Sequence, residues 1–389
     1  MKVLRITRSM DPAQGGVVEA VNQAASSFNN KKYQMDVLTL DNPGSSWVLS
    51  NKNYKIHALG EGKTAYGFHS SYLSWLWKNA EKYDVVIIDG LWQFLVIGGY
   101  ILKFLKVPYC VFTHGMLDPY FNEDKLKYLK KLPFWFLSER NVISMADAVI
   151  FTCQEEAILA AESFPWYRAC VKIATLGVEG NPRSEHYLSK VFLEEHSLLK
   201  TKRFALFLSR INKKKGIDLL IEALGQLKNL PTDFVLAIAG PDSNGLQVKL
   251  TKQISSLGLT HRVVWLGMLG ADIKWGAYHA AELFILPSHQ ENFGIVVAEA
   301  LSTATPVLIT NKVNIWREIE ASGAGFVEND TVVGLVNLLN KWFLLSDEDK
   351  NIMGKKARAC FENNFSLESS AIELEQALQS AITHKFIGK

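Results

Sequence analysis

The segment Pro287-Ser-His-Gln-Glu291-Asn292-Phe293-Gly294-Ile-Val-Val-Ala-Glu299-Ala300 carries the strongest pattern in this 389-residue chain. The apolar run 283–287 ends at its start, and residues with helical spacing resume after Gly294. The pattern therefore predicts a buried strand, a short polar loop and a helix. Because the first N–H groups of a helix are unpaired and carry partial positive charge, this junction suits a phosphate or a sugar hydroxyl.

The same alternation of strand and helix extends over the whole chain. Apolar runs typical of parallel strands occur in two series, at 3–7, 35–40, 84–89, 109–113, 148–152 and 172–176, and at 204–209, 234–239, 263–266, 283–287 and 306–310. They predict an α/β protein with two doubly wound parallel sheets, which agrees with about 150 residues per domain. Turn-forming residues at 180–184 place the boundary between domains 1–182 and 183–366. The pattern also predicts two consecutive helices near the end of the chain, at 347–362 and 367–384.

Composition and charge exclude several classes of protein. Hydrophobic residues make up 48% and charged residues 21% of the chain, which excludes intrinsic disorder. The net charge is +3, with 20 Lys and Arg against 18 Asp and Glu in residues 1–185, so we expect no nucleic-acid partner. The four cysteines lie far apart, which excludes CxxC zinc spacing and a disulfide framework. Residues 1–7 mix charged with apolar residues and predict a strand rather than a signal peptide, so we expect a cytoplasmic protein.

A second junction, Leu208-Ser209-Arg210-Ile-Asn-Lys213-Lys214-Lys215-Gly216, follows an earlier predicted strand. The strand delivers Arg210 to its carboxyl end and a helix begins near Gly216, so Arg210 and Lys215 can converge on one anion. A diphosphate leaving group needs such neutralisation of its charge. The alternative is a solvated basic turn, which is the interpretation we favour for the other two lysines.

Two carboxylates frame the first junction, Glu291 in the loop and Glu299 about one and a half turns into the helix. A carboxylate among apolar neighbours is costly to bury without a partner, and the paired hydroxyls of a ribose would satisfy Glu299 in bidentate fashion. The alternative is that Glu299 caps a neighbouring loop and that Glu291 is solvated. The surrounding order of strand, loop, glycine and helix favours the binding site.

Together, Arg210-x4-Lys215-Gly216 and Glu291-x-Phe293-Gly294-x4-Glu299 resemble the retaining glycosyltransferases of family 4, which have the GT-B fold. The resemblance covers most of the C-terminal half, including Ala239-Gly240-Pro241 and Trp265-Leu266-Gly267, and is weaker through Gly15-Gly16 and Thr113-His114-Gly115. It implies two Rossmann-like domains facing across a cleft, with a nucleotide sugar on the C-terminal domain and an acceptor on the N-terminal domain. It also implies that the helix 367–389 packs back on the N-terminal domain.

The resemblance implies roles for individual residues of the donor site. Arg210 and Lys215 match the clamp on the donor diphosphate. Glu299 matches the carboxylate that holds the nucleotide ribose, and Glu291 matches the one that contacts hydroxyls of the transferred sugar. Asn292 stands where many relatives have glycine. The other donor-site candidates act largely through their backbone and are Gly15, Gly16, Gly240, Leu266, Asn292, Phe293 and Gly294.

His114 is the candidate contributed by the N-terminal domain. It ends a predicted strand and precedes Gly115, and the matching histidine of the family lies near the reacting sugar. A lone histidine is more often an ordinary core or loop residue. In this context we expect an active-site role, in which His114 forms a hydrogen bond to the sugar.

Retaining members of the family are thought to react on one face of the sugar, with the leaving phosphate helping to deprotonate the incoming hydroxyl. The resemblance therefore implies no dedicated nucleophile, no metal and no cofactor, with the nucleotide diphosphate-sugar as co-substrate. The Asp-x-Asp match Asp347-Glu348-Asp349 follows Ser346 and is predicted to be the first turn of a helix.

Residues 125–137 combine four lysines with aromatic side chains. Such a segment suits adsorption to an anionic membrane surface, and the alternative is that its aromatic residues pack in the core. We expect Pro133 to interrupt any long amphipathic helix. The first alternative predicts a cytoplasmic protein bound peripherally to the inner face of the cell membrane.

We therefore expect a retaining glycosyltransferase that transfers a sugar from a nucleotide diphosphate-sugar to a hydroxyl of a saccharide or lipid-linked acceptor. Polysaccharide, lipopolysaccharide or glycolipid assembly is the expected process. A sugar-nucleotide epimerase, a sugar phosphorylase of the same fold and a catalytically silent sugar-binding subunit stay open as alternatives. An oxidoreductase is disfavoured, since no complete G-x-G-x-x-G follows a predicted strand.

Overall fold

The chain folds into two compact units, of residues 1–177 with 367–389 and of residues 178–366. The computed structural model describes residues 1–28, 33–242 and 244–387, so the last two residues of the predicted helix 367–389 lie outside the described part. The predicted boundary at residue 182 falls inside unit 2. Its true position is set by Val178, whose N–H donates to the carbonyl oxygen of Phe365 at 2.8 Å and so ties the chain to unit 2.

Unit 1 is built on a parallel sheet. Within the described residues its strands are β1 Lys2–Ile6, β2 Gln34–Thr39, β3 Lys55–Ala58, β4 Val85–Asp89, β5 Tyr109–Phe112, β6 Ala148–Phe151 and β7 Val171–Ile173. Their order across the sheet is β3-β2-β1-β4-β5-β6-β7, and each neighbouring pair is parallel. The strand order reverses between β1 and β4, and open α/β sheets bind ligands at the carboxyl ends beside such a reversal.

Unit 2 repeats this plan. Its described strands are β8 Arg203–Leu208, β9 Phe234–Ala239, β10 Val263–Gly267, β11 Leu283–Leu286, β12 Val307–Thr310 and β13 Gly325–Glu328. They are parallel in the order β10-β9-β8-β11-β12-β13, so the reversal lies between β8 and β11. The predicted α/β class with two doubly wound sheets is therefore confirmed.

Two edge strands were not predicted from the sequence. Both β3, with the sequence KIHA, and β13, with GFVE, are largely half-buried rather than fully buried. An edge strand packs on fewer neighbours and tolerates polar residues, so it lacks the continuous apolar run of a central parallel strand. The remaining predicted strands match the observed ones, with ends that differ by at most three residues.

Helices connect the strands and cover the sheets. Across the described residues they are α1 Gly16–Phe28, α2 Ser46–Leu49, α3 Tyr72–Asn79, α4 Gly98–Phe104, α5 Lys125–Phe134, α6 Arg140–Met145, α7 Gln154–Ser163, α8 Glu185–Glu195, α9 Ile217–Gln226, α10 Leu246–Ser256, α11 Ala271–Ala280, α12 Ile295–Ser302, α13 Trp316–Ser322, α14 Val332–Phe343, α15 Asp347–Asn364 and α16 Leu367–Ile387. None of them is both long enough and apolar enough to cross a bilayer.

The sheet of unit 1 is covered on both faces. Val3 of β1 packs in a cluster with α1 and with Leu374 and Leu378 of α16. The next residue, Leu4, points to the opposite face and packs in a second cluster that contains Trp135. Because successive strand residues alternate between faces, a strand buried on both sides must be apolar at nearly every position.

The expectation that Pro133 interrupts the helix is wrong. Helix α5 includes Pro133, a π-turn at Trp135–Glu139 follows directly, and α6 continues from its end. Proline removes one N–H donor and crowds the carbonyl of residue i−4, here Leu129. A wider π-turn is one way to accommodate such a disturbance while the chain stays helical.

Candidate active site

Two loops meet at the carboxyl ends of β8 and β11 in unit 2. Gly216 in the first loop has φ +65°, and a Cβ atom there would overlap the carbonyl oxygen of Pro287 in the second. The N–H of His289 donates to the carbonyl oxygen of Lys214 at 2.8 Å. Glycine is therefore needed at position 216 both for its backbone conformation and for the close approach of the loops.

Lys215 and Glu291 form an ion pair between these loops. The Lys215 ammonium donates to Oε2 of Glu291, and both side chains are mostly buried. The backbone of Glu291 is held as well, because its N–H donates to Lys312 at 2.8 Å and its carbonyl oxygen accepts from Asn314 at 3.0 Å. Glu291 is thus a fixed carboxylate with a cationic partner, and the alternative of a solvated side chain does not hold.

Arg210 follows β8 in the same loop as Lys215 and is exposed. The part of the chain that the structure describes provides no hydrogen bond or ion pair to its guanidinium. The predicted convergence of Arg210 and Lys215 on one anion stays a prediction. Of these two side chains, Lys215 is paired with Glu291, whereas Arg210 is unpaired within the described residues.

The loop that follows Glu291 leads into α12. Gly294 has φ +78° and is the residue before the first turn of the helix. Phe293 is buried and packs edge-on against Phe365, with ring centroids 5.6 Å apart, so its side chain belongs to the core. Asn292 is not among the residues with positive φ, so asparagine fits this position without strain.

Glu299 lies in α12 and is buried with partners from α11. The Lys274 ammonium donates to Oε1 at 2.7 Å, and the Tyr278 hydroxyl donates to Oε2 at 2.9 Å. Burial and the neighbouring Glu299 carboxylate hold the pKa of Tyr278 well above its ordinary value, so the hydroxyl stays a donor. The protein itself supplies a donor to each oxygen of Glu299, so burial of this carboxylate does not by itself require a ribose, and the ribose contact stays a prediction.

Two further donor-site candidates lie at the ends of β9 and β10. Gly240 has φ +135°, and a Cβ atom there would overlap the carbonyl oxygen of Ser209. Its N–H donates to the carbonyl oxygen of Gly267 at 2.7 Å. Leu266 is buried in β10. These residues fix the strand ends of unit 2 close to the loop that carries Arg210.

In unit 1, His114 belongs to a buried chain of three ionisable residues. Its Nε2 lies 2.7 Å from Oδ1 of Asp89, and Nε of Arg5 donates to Oδ2 of the same carboxylate at 2.8 Å. Burial alone would raise the pKa of Asp89, but Arg5 and His114 more than offset this and lower the pKa below its ordinary value. The imidazole also stacks on Phe112, with centroids 4.2 Å apart. Asp89 and Arg5 join β4 to β1 at the strand reversal of unit 1.

The loop around His114 is anchored by Glu156 at the start of α7. Its Oε1 accepts from the Thr113 hydroxyl at 2.7 Å and from the N–H of Gly115 at 2.6 Å. Its Oε2 accepts from the N–H and the hydroxyl of Thr152, at 2.7 and 2.6 Å. Glu156 therefore clamps the residues on both sides of His114, which itself has φ +49°.

Gly15 follows a short 3-10 turn, and Gly16 is the first residue of α1. A Cβ atom at either residue would meet no other atom within 4 Å. Gly15 has φ +75°, so glycine is needed there for conformation, whereas at Gly16 it leaves open space at the start of the helix.

Several residues of these sites were not predicted. Lys274 and Tyr278 are four residues apart and so share a helix face, a spacing that could have been noticed. Arg5 is a charged residue within an otherwise apolar strand, and this pattern indicates a buried partner of opposite charge. The partner itself, Asp89, was placed only as the end of a predicted strand.

The acidic segment Asp347-Glu348-Asp349 is the first turn of α15. The Ser346 hydroxyl accepts from the N–H of Asp349 at 3.1 Å, as a helix cap does. The predicted helical role of this segment is confirmed. In the described ranges no group of three or more His, Cys, Asp or Glu side chains is arranged to hold a metal ion.

Comparison with known families places both units. Residues 15–172 match the family described as Glycosyl transferase 4-like domain, and residues 190–359 match Glycosyl transferases group 1. The two matches lie in units 1 and 2, respectively, and together they span most of the chain.

Individual relatives agree with this placement. An uncharacterised glycosyltransferase of Methanocaldococcus jannaschii is 23% identical over 336 residues, which are 80% of each chain. The D-inositol 3-phosphate glycosyltransferase of Corynebacterium urealyticum is 25% identical over 64% of this chain, and the match spans only 60% of that relative's length. In the structure of Anabaena HepE in complex with UDP, the likeness covers 98% of this chain and 100% of the other, with a TM-score of 0.75 and 20% identity, which shows a shared fold. The chain therefore has the GT-B architecture, with residues 190–359 belonging to the Glycosyl transferases group 1 family and residues 15–172 to the Glycosyl transferase 4-like domain family, and it is a glycosyltransferase of the GT4 type.

Proposed function

We propose that this protein is a retaining, metal-independent glycosyltransferase that uses a nucleotide diphosphate-sugar as donor. The observation that carries the proposal is the Lys215–Glu291 ion pair at the strand reversal of unit 2. It places a cation for the diphosphate beside a carboxylate for the sugar, at the position where open α/β sheets bind ligands. HepE has been solved with UDP and with UDP-glucose, which supports UDP as the first probe.

The diphosphate would be bound by Arg210 and Lys215. Arg210 is exposed and has no partner among the described residues, so its guanidinium is available for two parallel hydrogen bonds to phosphate oxygens. The Lys215 ammonium has three N–H donors, one of which is used by Glu291. It can therefore hold the phosphate without releasing the carboxylate.

The ribose would be bound by Glu299. Each of its oxygens accepts one hydrogen bond from the protein, and a carboxylate offers about four acceptor positions in all. Two positions are thus left for the paired hydroxyls of a ribose. Lys274 and Tyr278 would keep the carboxylate ionised and correctly oriented while the nucleotide enters and leaves.

The chemical step would be a substitution at the anomeric carbon of the sugar. The bond from this carbon to the acceptor oxygen forms on the face from which the bond to the diphosphate oxygen breaks. The acceptor proton passes to the leaving diphosphate, whose new negative charge is offset by Arg210 and Lys215. On this account the two side chains supply the charge stabilisation that a metal ion supplies in other transferases.

His114 would act from unit 1, where Asp89 accepts the proton of Nε2 and leaves Nδ1 for a sugar hydroxyl. We propose a saccharide or lipid-linked acceptor and a role in polysaccharide, lipopolysaccharide or glycolipid assembly. A hydroxyl of the acceptor is the incoming nucleophile, and no protein nucleophile is required.

The first test is UDP binding by calorimetry. Lys215→Met should weaken UDP binding by about 10- to 100-fold, because a charge-assisted hydrogen bond is lost. Lys249→Met, at an exposed lysine of α10, is the matched control and should bind UDP as the unmodified protein does. Equal affinities of the two variants would contradict the proposed site.

The second test separates binding from catalysis at Glu291. Glu291→Gln should lower turnover of a UDP-sugar by about 100-fold while UDP affinity changes by less than about threefold. Parallel losses in both would contradict a role at the sugar.

Nuclear magnetic resonance of the first product formed should show the donor's anomeric configuration, and inversion would overturn the retaining mechanism. Full turnover in the presence of a chelator is expected.

A further inference from the structure

Unit 1 carries an apolar surface that is exposed to solvent. We call it the apolar face, and it is formed by side chains from four segments of the chain. The most exposed members are Leu137, Leu126 and Trp166, with 76%, 72% and 72% of their surface accessible. The face consists of Trp77, Phe104, Leu126, Leu129, Leu137 and Trp166.

Helix α5 and the π-turn after it contribute the centre of the face. Leu126 and Leu129 are three residues apart, so they share one side of the helix, and both are exposed. The opposite side packs into the core through Tyr128 and the fully buried Trp135. The outer leucines are therefore not needed for packing, and folding alone does not explain them.

Two aromatic pairs extend the face. Phe136 and Trp166 meet edge to face with centroids 5.5 Å apart, and the guanidinium of Arg140 lies 6.0 and 5.6 Å from the two rings. At the other end, Trp77 stacks on Phe104 at 5.2 Å. Exposed aromatic rings next to a cation are typical of surfaces that lie at a boundary between water and an apolar phase.

Tyr100 joins the second pair to the centre. Its hydroxyl donates to the carbonyl oxygen of Leu137 at 3.0 Å. Tyr100 and Phe104 are four residues apart in α4 and so lie on the same side of that helix. The Trp77 and Phe104 pair is therefore continuous with Leu137 rather than a separate patch.

The surroundings of the face are basic. Residues 103–140 contain seven Lys and Arg against four Asp and Glu. Lys125, Lys127 and Lys130 are exposed on α5 beside the outer leucines. One of the four acids, Glu139, is fully buried and takes no part in the surface.

We propose that the apolar face docks on a membrane surface that carries anionic lipids. Lysines beside exposed leucine and tryptophan side chains match both parts of such a surface, since the charges meet the headgroups and the apolar groups enter the boundary of the acyl chains. A second copy of this chain fits less well, because two such faces would bring like charges together. The segment 125–137 is therefore one part of a larger surface, and docking does not depend on the proposed transfer reaction.

Sedimentation with lipid vesicles tests the inference on the whole protein. At low salt it should sediment with vesicles of phosphatidylcholine and phosphatidylglycerol, far less with phosphatidylcholine alone, and less at high salt. Lys127→Gln with Lys130→Gln should weaken binding by about 30-fold, because each lysine near an anionic surface contributes about a factor of five. Leu137→Glu with Trp166→Glu should weaken it by more than about tenfold.

The control is Leu344→Glu, which adds one negative charge at a leucine that is 87% exposed in unit 2. It should sediment like the unmodified protein, and all variants should melt at similar temperatures and bind UDP equally. Failure of the unmodified protein to bind anionic vesicles at low salt would overturn the proposal. So would equal binding by Leu137→Glu with Trp166→Glu, or a dimer in solution that this double variant abolishes.

Discussion

Nε2 of His114 lies 2.7 Å from Oδ1 of Asp89, whose other oxygen accepts a hydrogen bond from Arg5 at 2.8 Å. The pKa of Asp89 is lowered below its ordinary value, so at neutral pH the carboxylate is charged and accepts the Nε2 proton. Nδ1 is then the ring nitrogen that is left without a hydrogen-bond partner among the described residues. A charged pair buried at the strand reversal thus determines which nitrogen of the histidine is available to a ligand.

Asp89→Asn is expected to lower kcat by about 10- to 100-fold, the usual effect of removing a group that orients an active-site side chain. The amide of asparagine can donate as well as accept, so the imidazole is no longer held in one tautomer. We expect the KM for the donor to change little, because the proposed diphosphate and ribose ligands Arg210, Lys215 and Glu299 lie in unit 2. Steady-state kinetics across pH measure both effects.

Asp36→Asn is the control for this experiment. Asp36 is a buried carboxylate of the same sheet that accepts from the Tyr83 hydroxyl at 2.8 Å and has no contact with His114. It should lose stability without a loss of kcat. A kcat of Asp89→Asn equal to that of Asp36→Asn would refute the positioning role.

Arg5→Met is expected to lower the free energy of unfolding by about 3 kcal/mol at neutral pH, because it leaves a buried carboxylate without its main cation. The double variant with Asp89→Asn should lose less than the sum of the single losses. Urea denaturation followed by circular dichroism measures all three. Additive losses would show that the two side chains are not coupled.

The pair of Arg5 and Asp89 also predicts how the free energy of unfolding depends on pH. The pKa of Asp89 is lower in the folded than in the unfolded chain, so its contribution is complete above about pH 4 and is lost as the pH falls through the folded value. The difference between the unmodified protein and Arg5→Met should therefore shrink below about pH 4. A constant difference between pH 3 and 7 would contradict this origin of the stability.

Gly216→Ala tests the contact between the two loops of the donor site. Both Gly216 and Gly258 have φ near +65°, but only at Gly216 would a Cβ overlap a carbonyl oxygen, that of Pro287. We expect Gly258→Ala to cost about 1 kcal/mol for its conformation and Gly216→Ala to cost at least about 3 kcal/mol. Thermal unfolding of the two variants measures the difference. Equal melting temperatures would mean that the loops separate easily.

Glu139→Gln is expected to stabilise the protein at alkaline pH. Burial raises the pKa of Glu139 to about 7, Ser138 opposes this only in part, and Oε1 has no hydrogen-bond partner in the described chain. The folded state binds a proton that the unfolded chain releases near pH 4, so stability falls as the pH rises from about 4 to 7. At pH 8 the variant should be more stable by up to about 3 kcal/mol.

Glu222→Gln, at an exposed position on α9, is the control for this pH profile and should not alter it. Melting temperatures of the three proteins between pH 5 and 8 give the comparison. A Glu139→Gln profile parallel to that of the unmodified protein would show that Glu139 stays charged in the fold.

The sequence predicted the central strands and the positions of the donor loops because both depend on local patterns. A parallel strand that is buried on both faces must be apolar at nearly every residue, and this pattern is visible without coordinates. Edge strands such as β3 were not predicted, because their residues are only partly buried and need not be apolar at every position. Pro133 misled the prediction because a π-turn keeps the chain helical after the proline.

The α/β class, the two sheets and the residues at the strand ends follow from local patterns in the sequence. Which of these residues contact one another depends on the tertiary structure. Lys215 and Glu291 are 76 residues apart and Arg5 and Asp89 are 84 residues apart, and no local pattern encodes such a pairing. Burial is equally non-local, so the same segment 125–137 holds the fully buried Trp135 and the exposed Leu137. The periodicity of apolar residues indicates whether a segment favours a strand or a helix. Contacts and exposure depend instead on the packing of segments that are distant in the chain.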